Sequence, residues 1–199
     1  LTMLIAIPLG ILSAVQHNKW SDYLIRFLSF IGNSMPNFFA ALVLMYFLSI
    51  KLGWFPVITT ENKLQSLVLP TLALAIPMTG KYIRQVRAAV LEQLRKSYVD
   101  GAYSRGLAPG IVLFSYVLRN AMTTILTLLS MSVGSLLGGT AAIEVIFSLP
   151  GMGYMVTSAV TSRDYPVIQT YVLLIGVLFV VFNLLFDILQ TVSDPRMRK

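Results

Sequence analysis

The sequence predicts an all-α membrane protein with several membrane-spanning helices, and three observations support this fold class. The mean hydropathy is +0.78. Only 12% of the residues are charged, whereas soluble domains carry about 25%. The charges are also clustered, which leaves apolar runs close to the roughly 20 residues that a helix needs to cross the bilayer core. These runs are continuously apolar and do not alternate as barrel strands do, so helices are expected to satisfy the backbone within the lipid.

Five apolar runs are predicted to be membrane spans within a single domain, residues 1–199. They are residues 1–16, 27–50, 65–80, 120–143 and 166–189. The further apolar stretch 145–165 contains Leu149-Pro150-Gly151, a turn signal that interrupts a helix. We therefore expect a broken helix on the outer face over 145–165, and not a sixth span.

The distribution of basic residues predicts the orientation in the membrane. Twelve of the 15 Lys and Arg residues lie in Lys19–Arg26, Lys81–Arg119 and Arg196–Lys199. Five spans place these three segments on one side, and basic segments favour the cytoplasm. The C-terminus is therefore expected to be cytoplasmic. Leu1 would then lie outside, so we expect a sixth span upstream and interpret the sequence as lacking its N-terminal part.

Charge and composition also exclude several kinds of function. The net charge of +7 is explained by the orientation, and no nucleic-acid partner is expected. The sequence has no cysteine and one histidine, His17, which excludes thiolate metal sites, Cys nucleophiles and an H-E-x-x-H protease. We expect no catalytic residue and no metal site in this chain.

The basic segment 81–119 is the strongest candidate for a contact with a soluble partner. Ile83, Val86, Val90 and Leu94 recur at helical spacing, which predicts that the third span continues as an amphipathic helix. Small residues then allow a tight turn before Pro109-Gly110. Such a helix–turn–helix segment suits a groove in another protein, but on spacing alone an ordinary basic cytoplasmic loop is the favoured interpretation.

A family resemblance favours the docking interpretation. Asp100-Gly101-Ala102-x-x-x-Gly106 resembles the E-A-A-x-x-x-G motif of permease subunits of bacterial binding-protein-dependent ABC importers. Asp100 and Gly101 depart from that motif, and Leu118 alone is retained from its I-x-L-P continuation. Leu118-Arg119-Asn120-Ala121 is similar to the L-R-N-A of the peptide and nickel branch. Further similarities to this branch are Ser34-Met35-Pro36-Asn37-Phe38, Gly138-Gly139, Glu144, Phe147, Leu149-Pro150-Gly151-Met152-Gly153, 163–169 and Asp194-Pro195-Arg196.

The resemblance implies the transmembrane domain of a type I ABC importer in the bacterial cytoplasmic (inner) membrane. Its implied partners are a homologous second permease, two cytoplasmic ATPase subunits and an extracytoplasmic solute-binding protein. ATP and Mg²⁺ would be used by the ATPase subunits, because this chain has no phosphate-binding G-x-x-x-x-G-K-[ST] loop. Segment 81–119 would be the coupling loop, and the residues implied in coupling are Asp100, Gly101, Ala102, Arg105, Gly106, Leu107 and Leu118.

Polar residues within the apolar runs are candidates for the translocation path or for contact with the binding protein. They are Asn33, Asn37, Glu144 and Asp164. Polar groups in lipid are costly and often functional, but each has a structural alternative. Asn33 and Asn37 could form hydrogen bonds between helices, and Glu144 could cap the short outer helix.

Two alternatives for the function stay open at this point. An ion-coupled secondary transporter or channel would need paired broken helices in two repeats, which the sequence does not clearly show. Within the importer interpretation, the transported solute would be a peptide or nickel, free or chelated. ATP dependence of transport would separate the two classes.

Overall fold

The computed structural model describes residues 1–57 and 63–193, and every regular element in these ranges is helical. The basic tail Arg196–Lys199 and the Asp194-Pro195-Arg196 similarity lie outside the described residues. The helices of the first half are α1 (Thr2–Val15), α2 (Trp20–Ser34), α3 (Asn37–Leu44) with its π-helical continuation (Met45–Lys51), and α4 (Lys63–Leu94). Those of the second half are α5 (Ser97–Ser104), α6 (Pro109–Ile111) with a π-helix (Val112–Val117), α7 (Leu118–Gly139), α8 (Ala141–Ile146), α9 (Met152–Ser162) and α10 (Tyr165–Ser193).

Helices occupy all five stretches expected to span the membrane, with different lengths. By length and apolar composition, three described helices could cross a bilayer: Leu64–Leu94, Pro109–Leu136 and Tyr165–Thr191. The stretch 27–50 is divided into α2 and α3, which pass the same test only as a bent pair, and α1 is shorter. The break is at Pro36, whose ψ of 145° is extended, and a proline also disfavours the helical conformation of the residue before it.

The described residues form two compact units, and the first consists of Leu1–Ile31, Thr79–Met131 and Leu184–Ser193. The largest group of its buried apolar side chains comes from the second half of α4, including Tyr82, Val86 and Val90. Helix α1 approaches α4 closely at Gly10, where an added Cβ would lie 2.8 Å from the Val86 Cβ. A small residue therefore permits this helix contact, as is common between membrane helices.

The second unit consists of Gly32–Met78 and Ser132–Asn183. Its core cluster combines residues of α3, α4 and α8: Ala41, Leu69, Ala73, Ile143 and Phe147. Helix α8 packs against both α3 and α9. This packing fixes the position of Glu144 within α8 and of the following turn, which contains Leu149-Pro150-Gly151.

Helix α10 exposes an almost completely apolar surface. Its most apolar window has a mean hydropathy of 2.8, and 0% of that window is buried within the chain. Leu173 and Val180 are among its exposed side chains. Such a surface is stable in lipid or against another subunit, and not in water.

Candidate functional site

The predicted coupling segment is a short helix attached to the end of α4. Helix α4 ends at Leu94, and α5 begins at Ser97 after Lys96, whose extended backbone (ψ 144°) turns the chain. The Tyr98 hydroxyl donates to the Gln93 Oε1 at 3.1 Å, which joins the first turn of α5 to α4. Helix α5 also packs against the π-helix Val112–Val117. The segment is therefore an ordered element and not an open loop.

The motif residues Ala102 and Gly106 form the C-terminal cap of α5. The Gly106 N–H donates to the Tyr103 carbonyl at 2.9 Å, and the Leu107 N–H donates to the Ala102 carbonyl at 3.3 Å. Gly106 has φ +75°, in the left-handed region that glycine adopts at little cost. This pair of bonds with a left-handed residue is the Schellman motif. The family spacing between Ala102 and Gly106 thus has a geometric cause.

The predicted coupling residues divide into an exposed and a buried group. Four are exposed: Asp100, Gly101, Arg105 and Gly106. Leu107 and Leu118 are half-buried, and Ala102 is 0% exposed. The first four can meet a partner directly, whereas Ala102 holds α5 against the rest of its unit.

Gly101, which departs from the family motif, is not required by the local geometry. It lies inside α5 at an exposed position, and an added Cβ would meet nothing within 4 Å. Gly106 also has open space around its Cα. Of the two glycines, only Gly106 has a backbone conformation that other residues rarely adopt.

The predicted path residues all lie in the second unit, whereas the predicted coupling residues all lie in the first. Asn33 is half-buried in the last turn of α2. Asn37 is half-buried and begins α3. Its Nδ2 lies 3.9 Å from the position of a Cβ added at Gly139, which places the amide beside the end of α7.

Glu144 caps helix α9. Its Oε2 accepts a hydrogen bond from the backbone N–H of Tyr154 at 2.9 Å, one of the first N–H groups of α9, which have no partner within the helix. A Cβ at Gly151 would overlap the same carboxylate. The geometry therefore agrees with the capping role that the sequence left as an alternative for Glu144.

Asp164 has a similar role at the start of α10. Its Oδ1 accepts the Val167 N–H at 3.3 Å, and Arg163 before it has the left-handed φ of +58° that ends α9. An open groove of about 540 Å³ lies beside this turn, lined by Pro150, Gly151, Tyr154, Met155, Ser158, Ala159, Ser162, Asp164 and Val167. Asp164 is thus both a helix cap and part of a groove wall.

The sequence did not predict the most strongly bonded charge in the described structure. Asp22 in α2 is 0% exposed and receives a bidentate contact from Arg87 in α4, with Nε and Nη2 each 2.8 Å from a carboxylate oxygen. The Ser13 hydroxyl and the Asn18 N–H also donate to it. An acidic residue next to an apolar run, as Asp22 is, indicates that the carboxylate needs a partner. The sequence could not identify Arg87 as that partner, because it is 65 residues away and only the fold brings the two together.

Comparisons with known proteins agree with this fold. Residues 6–199 match the family described as binding-protein-dependent transport system inner membrane component. A chain of the MetNI methionine ABC transporter, solved in inward-facing conformations, has a TM-score of 0.74 at 16% identity, over 97% of this chain and 88% of that chain. At this identity the likeness concerns the fold alone.

Three sequence relatives are permeases. The chain is 38% identical over 205 residues to the oligopeptide transport system permease protein AppB of Bacillus subtilis (strain 168), which covers 98% of this chain and 65% of that protein. It is 36% identical over 199 residues to the metal-staphylopine import system permease protein CntB of Staphylococcus aureus (strain NCTC 8325 / PS 47), over 100% and 63%. It is 33% identical over 223 residues to the dipeptide transport system permease protein DppB of Alkalihalophilus pseudofirmus, over 98% and 67%.

The chain thus spans slightly less than two thirds of the first two relatives. The family match extends over almost all of it, and its apolar helices are those of a multi-pass membrane protein. The chain belongs to the inner membrane component family of binding-protein-dependent transport systems, as an ABC permease of the peptide and nickel branch with the type I importer fold.

Proposed function

We propose that the chain is the membrane-spanning permease part of an ATP-driven importer. In this proposal a solute passes from an extracytoplasmic binding protein, through this permease and a homologous second permease, into the cytoplasm. The C-terminus and the coupling loop 81–119 lie in the cytoplasm of a bacterium. The observation that carries the proposal is the capped helix α5, which presents Asp100, Arg105 and Gly106 at an exposed surface.

The structure suggests how movement of an ATPase would reach the spans. Helix α5 is fixed to α4 through Tyr98 and Gln93, and α4 is one continuous helix from Lys63 to Leu94. A displacement of α5 would therefore move α4 as well, because no flexible linker between the two helices would absorb the movement. ATP and Mg²⁺ would be bound by the two ATPase subunits, whose closure biases the permease between inward-open and outward-open states.

The transported solute is proposed from the relatives. Their names describe the import of oligopeptides, dipeptides and metal-staphylopine. We propose that this permease transports peptides or chelated metal, with nickel as one candidate metal. The family match favours this importer over the ion-coupled transporter or channel that the sequence left open.

Replacement of Gly106 by tryptophan tests the coupling proposal. Gly106 has open space around it within the chain, so a large side chain would project from the exposed face where the ATPase is proposed to dock. We expect the assembled complex to lose most of its uptake while the ATPase subunits still hydrolyse ATP. Uptake into proteoliposomes and phosphate release, measured on the same preparation, give the ratio of transport to hydrolysis.

Gly53 offers a matched control for this variant. It also has a positive φ, +64°, and nothing within 4 Å of an added Cβ, but it lies outside the coupling loop. Gly53→Trp introduces the same backbone strain and the same bulk and is expected to retain coupling. Normal uptake by Gly106→Trp, or an equal loss in both variants, would contradict the proposed role of Gly106.

A further inference from the structure

Helix α2 has an unusual distribution of polar and apolar side chains. Its buried side includes the polar residues Asp22 and Ser29, at 0% and 2% exposure. Its outer side carries large apolar residues, among them Phe27 and Phe30, each 61% exposed. The environment outside α2 is therefore apolar in this part of the helix, since water would disfavour such a surface.

The outer side of α2 changes character along the helix axis. The first half of this side presents two cations, Lys19 and Arg26, which are both exposed. Two aromatic residues lie beside them, Trp20 at 77% exposure and Tyr23 at 52%. The Arg26 guanidinium carbon lies 5.2 Å from the centre of the Tyr23 ring. Beyond Arg26 the exposed side chains are apolar as far as Ile31, and the exposed Ser34 ends the helix. A phospholipid has the same order, with a charged headgroup, an interfacial region favoured by Trp and Tyr, and then an acyl chain.

The two cations share one stripe of the helix surface. The Tyr23 N–H donates to the Lys19 carbonyl at 3.2 Å, so Lys19, Tyr23, Arg26 and Phe30 follow one another at spacings of three and four residues, which places them on one face. Arg26 lies 3.9 Å from the Asp22 carboxylate, too far for a hydrogen bond. Asp22 takes its hydrogen bonds from Arg87, Ser13 and Asn18, so the Arg26 N–H groups remain available to an anion.

We propose that Lys19, Arg26, Trp20 and Tyr23 bind the phosphate headgroup of an anionic phospholipid, whose acyl chain covers Phe27 and Phe30. A second membrane helix fits this surface less well. Helix–helix contacts in membranes use small residues. Three of the four small residues of α2 (Ser21, Ser29 and Gly32) are buried or half-buried, and the exposed one, Ser34, is its last residue. The outer surface offers large aromatic rings and positive charge, which match a lipid.

The test uses the full-length permease in its assembled complex. The complex is purified in detergent, and binding of phosphatidylglycerol and of zwitterionic phosphatidylcholine is measured by titration with native mass spectrometry. We expect preferential binding of phosphatidylglycerol. Lys19→Gln and Arg26→Gln are each expected to weaken it about fivefold, the usual effect of one basic residue at an anionic surface. Because both side chains are exposed, the variants should fold, which thermal unfolding checks.

Lys51 provides the control. Its ammonium lies 5.5 Å from the centre of the Tyr46 ring, so it repeats the cation–aromatic pair at another place, and Lys51→Gln should leave this binding unchanged. Excess inorganic phosphate should not displace the lipid. Equal binding of both lipids, unchanged binding in the Lys19→Gln/Arg26→Gln variant, or loss of the second permease in that variant without loss of lipid would each overturn the proposal. None of these outcomes depends on coupling to ATP.

Discussion

At the scale of single residues, Gly101 and Gly106 show that glycine has two different structural roles within one motif. Gly106 adopts φ +75° and closes the cap of α5, so a side chain there is strained. Gly101 lies within the helix with no neighbour near its Cα. Glycine in a helix is unfavourable relative to alanine, and alanine is the residue that the family motif carries at this position.

The same substitution is therefore expected to have opposite effects at these two positions. Gly101→Ala should raise the free energy of unfolding of α5 by about 0.5–1 kcal/mol. Gly106→Ala should lower it by about 1–2 kcal/mol, the cost of a left-handed conformation for a residue with a Cβ. Hydrogen exchange of the α5 amides in the solubilised permease measures both. If both substitutions raised the free energy of unfolding of α5, or both lowered it, the result would contradict the geometry of the cap.

Asp22 and Glu92 allow a second comparison at this scale. Asp22 is buried with Arg87, whereas Glu92 pairs with Lys96 at 3.3 Å on an exposed surface, with 68% of its side chain accessible. Asp22→Ala leaves the Arg87 guanidinium, whose side chain is only 16% exposed, without its carboxylate, and we expect a loss of about 3 kcal/mol. Glu92→Ala should cost less than about 1 kcal/mol. Thermal unfolding in detergent measures the difference, and similar losses for both would show that Asp22 is not a structural anchor.

At the scale of elements, helix α9 depends on a residue from α8. Glu144 lies ten positions before Tyr154 and accepts its N–H. The turn between them contains Pro150, which favours a break there. The sequence predicted this broken helix and offered capping as one role of Glu144. It could not decide between that role and a path role, because the direction of the carboxylate depends on how α8 packs against α9.

Substitution of Glu144 separates the two roles. Glu144→Gln keeps an oxygen that can accept the Tyr154 N–H, whereas Glu144→Ala removes it and should cost about 1 kcal/mol of α9 stability. We expect faster exchange of the Tyr154 amide in the alanine variant only. If the negative charge itself serves transport, both variants should lose uptake of a cationic solute. Loss of uptake in Glu144→Gln with normal exchange at Tyr154 would therefore favour the path role.

The bounds of helices α2 and α3 could not be predicted from apolar composition alone. The uncharged run predicts a single span over 27–50. The structure begins α2 earlier, at Trp20, and starts a new helix at Asn37. The charged residues Asp22 and Arg26 concealed the true start, because Asp22 is neutralised by Arg87 from a distant part of the sequence.

At the scale of the whole molecule, the exposed apolar surface of α10 and the charge distribution support a multi-pass membrane protein. The orientation stays a prediction from the basic residues. The absence of cysteine in this sequence makes it directly testable, because a single introduced cysteine has no background within these residues.

Ser104 and Ser162 are suitable positions for this test, since both are exposed and they lie in the predicted cytoplasmic and outer segments. In intact cells, a membrane-impermeant maleimide should label Ser162→Cys and spare Ser104→Cys, because only the outer segment is accessible. After the cells are opened, both should react. Labelling of Ser104→Cys in intact cells would invert or invalidate the predicted orientation.

By itself, the sequence determined the helical membrane class and the location of the apolar segments, because hydropathy and local spacing are properties of neighbouring residues. It also led to the prediction of a coupling role for Asp100–Gly106. Only the tertiary structure decided that Ala102 is buried while Asp100 and Arg105 are exposed, that Glu144 caps α9, and that Asp22 binds Arg87. These features depend on contacts between residues far apart in the chain, and packing of the helices, not local pattern, brings such residues together.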